Sequence, residues 1–170
     1  ARMGYGLGAE KNDVTLADIA AAADIFYIGG TKCGAMVGEA VVIVNEALKG
    51  HFRSYMKQNG GLLAKGWVLG LQFYTLFRDG TYFEITERAD RYAMEIRRAF
   101  AKKGIEAYID SPTNQQFLLL TEEQKKLLGR NHIFENQFRM EDGRFCVRFC
   151  TSWSTEEADV QALLKDIRAL

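Results

Sequence analysis

The chain has 170 residues, with 22 basic and 22 acidic side chains, two histidines and three cysteines. A formal charge of zero and the lack of any basic stripe argue against nucleic-acid or anionic-lipid partners, and no apolar run approaches the roughly 20 residues of a bilayer span. At 48% hydrophobic and 26% charged the composition is that of a folded protein; with no signal segment at the start, the odd cysteine count points to a reducing, cytoplasmic compartment rather than a disulfide framework.

Thr15 predicts a helix cap over residues 16–23, with Asp18 in the first turn where the helix dipole favours an anion. Asp24 to Ile28 and Val41 to Val44 are continuous apolar runs, which read as strands buried on both faces in an α/β sheet. Residues 46–77 have helical character on either side of Gly60-Gly61. The stretch 62–77, with Leu62, Trp67, Leu71, Phe73 and Tyr74, is apolar enough to predict burial in a larger body or at a subunit interface. A cleaner amphipathic helix is expected from Thr86 to Lys103, with Ala89, Tyr92, Ala93, Ile96 and Phe100 on one stripe and Gly104 as the stop.

The last third reads as a small α+β lobe. Ile105 to Ile109 and Phe117 to Leu120 are strand candidates, and Thr121 with Gln124 forms a capping box for a short helix that Gly129 ends. Residues 133–140 and 144–150 flank the turn Glu141-Asp142-Gly143 as a hairpin. Ser154, with Glu157 three residues on, opens a closing helix carrying Val160, Leu163, Leu164 and Ile167.

Two residues stand out chemically. Lys32 follows a strand within Gly29-Gly30-Thr31-Lys32-Cys33-Gly34, at the carboxyl end where open α/β sheets place ligands. In a desolvated setting its neutral amine is favoured, which suits Schiff-base chemistry; the plain alternative is a solvated loop lysine. Arg148 lies in Phe145-Cys146-Val147-Arg148-Phe149-Cys150, where a period of two puts it on one face with Cys146 and Cys150. An arginine in mid-strand must meet an anion, either an internal Asp or Glu or a ligand carboxylate. Cys146 and Cys150 make a poor metal set and read as core thiols, Cys33 as a small packing residue, and His51 and His132 as surface or hinge residues, so no metal site is expected.

The ordered set Ala1 to Leu7, Thr15 to Ala20, Asp24 to Gly34, Gly60 to Gly66, Pro112 to Phe117 and Val147 to Trp153 resembles the low-specificity L-threonine aldolases. These are β-eliminating-lyase relatives among the fold-type-I pyridoxal-phosphate enzymes. The resemblance implies an α/β fold, the second half of a fold-type-I transferase-like large domain followed by a small α+β C-terminal lobe. Residues 1–80 would be the large-domain part with interface helices and 81–170 the small domain. It further implies pyridoxal 5'-phosphate as cofactor, Lys32 as the lysine that condenses with it, Thr31 and Lys65 as further cofactor contacts, Lys65 toward a neighbouring subunit's site, and Arg148 and Arg2 as the grip on the substrate α-carboxylate. The pyridine-pairing Asp would precede Ala1 and the phosphate loop would lie further upstream, so the chain reads as the C-terminal half of an enzyme about twice its length. The implied activity is cleavage of β-hydroxy-α-amino acids, threonine to glycine and acetaldehyde, in a dimer or tetramer with that first half. The alternatives are another pyridoxal-phosphate β-eliminating lyase, of the tyrosine phenol-lyase or tryptophanase kind, a racemase, or an inactive fragment serving only in association.

Overall fold

The computed structural model describes residues 2–170; Ala1, the first residue of the resembling stretch, lies outside them. The elements in order are α1 (Met3–Leu7), α2 (Leu16–Ala22), β1 (Ile25–Gly29), β2 (Glu39–Ile43), a 3-10 turn (Glu46–Leu48), α3 (Phe52–Gln58), α4 (Trp67–Arg78), α5 (Thr81–Lys102), β3 (Gln115–Leu120), α6 (Glu122–Leu128), β4 (Glu135–Arg139), β5 (Phe145–Cys150) and α7 (Glu157–Arg168).

The locally encoded features appear where the sequence puts them. The Thr15 hydroxyl accepts from the Asp18 amide at 3.2 Å while the Asp18 carboxylate accepts from the Thr15 amide at 2.8 Å, a reciprocal capping box. Thr121 and Gln124 do the same for α6. The Asp142 carboxylate accepts from the Arg144 amide at 3.0 Å and Gly143 takes a positive φ of 89°, which closes the β4–β5 hairpin.

Other expectations need correction. β1 and β2 pair antiparallel, Ile25 opposite Ile43 and Gly29 opposite Glu39, as a two-stranded ribbon. Phe26, Ile28, Ala40 and Val42 pack inward, whereas Ile25, Tyr27 and Val41 are exposed. Among the described residues the strands are therefore not buried on both faces, because their outer face is left uncovered. Helix α4 starts at Trp67 rather than 62: Gly60 takes φ 76°, the Gly61 amide closes on the Met56 carbonyl at 2.8 Å, and residues 61–66 are not helical, with a turn at 64–66. Much of its apolar surface is open, with Trp67 68% exposed and Leu71 and Tyr74 also exposed, while Leu76 is buried.

Helix α5 begins at Thr81, five residues before the expected start. Gly80, at φ 79°, makes the break from α4, and Tyr82 extends the buried stripe one turn upstream. Residues 105–109 form only a single bridge, Ala107 to Leu118, and do not extend the sheet, since the chain bends at Tyr108 and Ile109 directly after it. Ser154 does not cap α7. Its amide donates to Ser152 Oγ at 3.3 Å, and the cap is Glu156, whose side chain makes no capping bond.

The second sheet has the order β3-β5-β4, all antiparallel, with β5 central. Tyr92, Ile96 and Phe100 of α5 meet Leu118 and Leu120 of β3, Val147 and Phe149 of β5, and Val160, Leu163, Leu164 and Ile167 of α7 in one core. A second core gathers Tyr5, Ile28, Cys33, Ala35, Leu76, Tyr82 and Ala89. Helix α5 contributes to both.

Gly4 is where α1 touches α5. A Cβ there would stand 2.8 Å from Thr86 Cγ2 and 2.9 Å from Tyr82 Cε1, both buried and fixed. Gly4→Ala is expected to lower the stability by about 1–3 kcal/mol through overpacking, read as a drop in the urea midpoint; an unchanged midpoint would show that α1 and α5 are not in fixed contact.

Candidate active site

β1 ends at Gly29, and the chain then turns through Gly30 to Gly34, closed by the Cys33 and Ala35 amides on the Gly30 carbonyl at 2.8 and 3.1 Å. Gly30 has no room for a side chain, since a Cβ would meet the Gly38 carbonyl at 2.6 Å. Two buried phenols tie this turn down. The Tyr82 hydroxyl donates to the Gly29 carbonyl at 2.9 Å and the Tyr5 hydroxyl donates to the Lys32 carbonyl. Burial, aided by the nearby Cys33 thiol, pushes Tyr5 up to about 12, and burial also raises Tyr82 and Cys33, so all three stay neutral across the physiological range. Cys33 is fully buried, as a packing residue should be.

The turn presents Thr31 and Lys32 outward. Lys32 is exposed, which matches the solvated-loop alternative rather than a desolvated setting. The fixed main chain with a free side chain makes Lys32 an amine on a rigid mount.

Arg148 arrives from the other lobe. In the central strand β5 it stands opposite Phe117 of β3 on one side and Glu135 of β4 on the other. Its Nη2 pairs with the Glu135 carboxylate. With the Gln115 amide oxygen turned toward the guanidiniums, that oxygen accepts from Arg148 Nη1 at 3.0 Å and from Arg2 Nη1 at 3.2 Å. The Arg148 Nε is buried and has no partner. The predicted period of two holds for Val147 and Phe149, which are buried, but Cys146 is buried too and Cys150 is exposed, so only one of the pair is a core thiol.

Arg2, the residue before α1, completes the set. Its guanidinium lies over the Tyr5 ring, 5.3 Å from the centroid, and its Nη2 donates to Asn114 Oδ1. Asn114 is buried and donates from Nδ2 to the Thr151 carbonyl at 2.6 Å; the Thr151 hydroxyl in turn donates to the Ala89 carbonyl of α5 at 2.7 Å. Gln116 braces the same loop with bonds from Nε2 to the Ser111 and Thr113 carbonyls at 3.1 and 2.7 Å.

These groups open on one cleft of about 400 Å³, whose lining includes Arg2, Tyr5, Thr31, Lys32, Gln115, Glu135 and Arg148. Four predicted site residues, Arg2, Thr31, Lys32 and Arg148, are thus brought together from positions up to 146 apart in the chain. Lys65, exposed in the turn before α4, lies outside this cleft. A larger hollow of about 470 Å³ lies beside His132 and Val160; there His132 Nε2 is bound to Asp166 at 2.9 Å in an arrangement that braces α7. His132 is therefore partly buried and tied down, while His51, at φ 58° ahead of α3, is exposed as expected. Among the described residues no group of three or more His, Cys, Asp or Glu could hold a metal ion, and no helix is long and apolar enough to cross a membrane.

Tyr5, Asn114, Gln115 and Glu135 went unassigned in the sequence. Asn114 and Gln115 belong to the Pro112–Phe117 stretch singled out there, and Tyr5 lies three residues from Arg2; nothing local marks Glu135.

The donor set fits pyridoxal phosphate on its lysine side: one accessible amine beside two guanidiniums in the same cleft, with the Arg148 Nε buried and without a partner among the described residues. No protein-family model matches the chain. Its sequence is 34% identical over 148 residues to the low-specificity L-threonine aldolase of Pseudomonas sp. strain NCIMB 10558, spanning 86% of this chain and 42% of that protein. It is 30% identical over 149 residues to the enzyme of the same name from Pseudomonas aeruginosa, spanning 87% and 42%. Among solved structures it superposes on a Leishmania major threonine aldolase with TM-score 0.93 at 38% identity, covering 99% of this chain and 49% of that one. A Sphingomonas wittichii serine palmitoyltransferase aligns with TM-score 0.61 at 12% identity, covering 97% and 45%, a likeness of fold alone.

The fold is accordingly that of the fold-type-I pyridoxal-phosphate enzymes, an α/β half followed by a small α+β lobe. Within that class the chain is a homologue of the low-specificity L-threonine aldolases, corresponding to their C-terminal portion and spanning less than half of their length.

Two measurements probe the scaffold of the site. Tyr5→Phe keeps the ring under Arg2 but removes the bond to the Lys32 carbonyl. It is expected to cost about 1 kcal/mol and to speed amide exchange at Cys33 and Ala35; unaltered exchange would remove Tyr5 from the mount. Asp90 of α5 is 3% exposed and neither carboxylate oxygen has a hydrogen-bond partner among the described residues. Burial raises it to about 7, against the pull of the nearby Asn114 amide and Arg2. Its contribution to stability is complete below the unfolded value of about 4 and is lost as pH rises through about 7. Asp90→Asn should remove that loss, leaving the variant more stable than the parent at pH 8 by up to about 4 kcal/mol. Parallel melting-temperature profiles for the two proteins would refute it.

Proposed function

We propose that this chain is the lysine-bearing, carboxylate-binding part of a pyridoxal-phosphate-dependent lyase that cleaves β-hydroxy-α-amino acids, converting L-threonine to glycine and acetaldehyde. The observation that carries the reading is the convergence of Lys32, Arg2 and Arg148 on one cleft. The names of the relatives agree with it. When bound, pyridoxal phosphate would supply an electron sink for the pair released from the breaking Cα–Cβ bond.

The chain's own residues have separate tasks. Lys32 supplies the amine for covalent attachment of the cofactor, on a turn that Tyr5 and Tyr82 hold still, and Thr31 beside it is a further polar contact. Arg148 and Arg2 approach the Gln115 oxygen from two sides, so their forks can engage a carboxylate from different directions. Holding that carboxylate restricts rotation about the neighbouring Cα, and such orientation supplies several kcal/mol of a barrier.

In the same reading residues 1–80 belong to a large cofactor-binding domain and 81–170 to a small one. Lys65 serves the site of a neighbouring subunit in a homo-oligomer. The exposed pair Tyr27 and Val41 and the exposed Trp67, Leu71 and Tyr74 of α4 support such an assembly, since exposed apolar patches mark interfaces. The three free thiols suit a cytoplasmic setting.

The test is chemical. Borohydride reduction in the presence of pyridoxal phosphate, followed by peptide mapping, should fix the cofactor on Lys32; in the full-length protein Lys32→Ala should lose both that label and all aldehyde release from threonine. Label scattered over many lysines, or turnover retained in the variant, would overturn the assignment.

A further inference from the structure

We propose that Glu135 sets the affinity of the carboxylate clamp: it is an internal carboxylate that occupies Arg148 until the carboxylate of an amino acid displaces it. This rests on the reading of Arg148 as the carboxylate-binding residue and adds a second group to it. Glu135 and Arg148 are direct partners in the β4–β5 register, and the ladder shifts only beyond Asn136, so the contact is set by strand pairing rather than by one side chain's rotamer.

Glu135 is the sole acidic side chain among the residues lining the cleft, where it faces Arg2, Lys32 and Arg148. Arg148 has Nη2 on Glu135 and Nη1 on Gln115, with Nε buried and unpartnered. A bidentate grip uses two neighbouring N–H groups, and Nη2 belongs to both of the pairs a guanidinium offers. A ligand carboxylate therefore competes with Glu135 for the same end of Arg148.

The geometry makes that exchange cheap. The Glu135 side chain is 63% exposed and that of Arg148 only 26%, so the carboxylate can swing into water while the guanidinium stays in place. Replacing one carboxylate by another also keeps the part-buried Arg148 compensated at every stage, which avoids the cost of a bare charge. Glu135 thus lowers the affinity for every carboxylate ligand by the strength of its own exposed ion pair.

The experiment is a titration of glycine into the protein, with and without pyridoxal phosphate, followed by NMR. It compares the parent, Glu135→Gln, Glu135→Ala, Arg148→Ala and the double variant Glu135→Gln/Arg148→Ala. Both Glu135 variants should bind glycine about two- to fivefold more tightly, the range an exposed ion pair supports, and Arg148→Ala should abolish the gain. If the Glu135 variants bind glycine no better than the parent while Arg148→Ala still weakens binding, Glu135 is not a competitor and the clamp reading stands. If Arg148→Ala leaves glycine binding unchanged in both backgrounds, the clamp reading fails and the Glu135 proposal fails with it.

Discussion

Everything that brings the three cationic residues together runs through the packing of helix α5. Its first turn fixes the lysine loop, through the Tyr82 hydroxyl on the Gly29 carbonyl. One turn later Thr86 and Tyr82 seat Gly4 and with it the short helix that follows Arg2. At Ala89 the helix accepts the Thr151 hydroxyl, which anchors the end of the strand carrying Arg148. Beyond that point Tyr92, Ile96 and Phe100 enter the core under the second sheet. A single rigid rod of 22 residues therefore sets the spacing between an amine and two guanidiniums that come from distant parts of the chain. A shift of α5 would displace all three together, which is why the close approach at Gly4 matters more than the size of the residue suggests.

The second constraint is electrostatic. Arg2, Lys32 and Arg148 share a cleft in which one carboxylate faces them. Such a concentration of like charge is unfavourable in itself, and it persists because the surrounding structure holds each base separately: Arg2 by Asn114 and the Tyr5 ring, Arg148 by Glu135 and Gln115, and Lys32 by its main chain alone. The result is a site prepared for an anion. The buried Asp90 near Asn114, its carboxyl pushed up to about 7 by burial, offsets that excess only in part at neutral pH.

What the sequence made legible follows the range over which each signal acts. The caps of α2 and α6 were readable because Thr15 with Asp18 and Thr121 with Gln124 bond within three residues. The stripe of α5 was readable because helical period is a property of one segment, although its start was not, since Gly80 is a stop for α4 and the opening of α5 at once. The one-sided burial of β1 and β2 is not legible for a different reason: an apolar run states what a strand can be packed against, not whether this chain supplies the cover. In the site, Lys32 and Arg148 were visible from their immediate settings, one after a strand and one within it, while Arg2 entered only through family resemblance. Glu135 was invisible because its role depends on a strand register that no local pattern specifies.

That last point bears on how the arginine's two readings relate. From sequence, Arg148 could meet an internal carboxylate or a ligand's, and the two looked like alternatives. The register makes them successive states of one group. An internal partner held opposite on the adjacent strand, more exposed than the arginine it serves, compensates the charge without sealing it. A buried Asp or Glu in the same position would have made Arg148 a structural ion pair closed to ligands, since separating a buried pair costs far more than separating an exposed one. The difference between a structural arginine and a binding one is thus carried here by the solvent exposure of its partner, a property of the sheet edge that β4 forms.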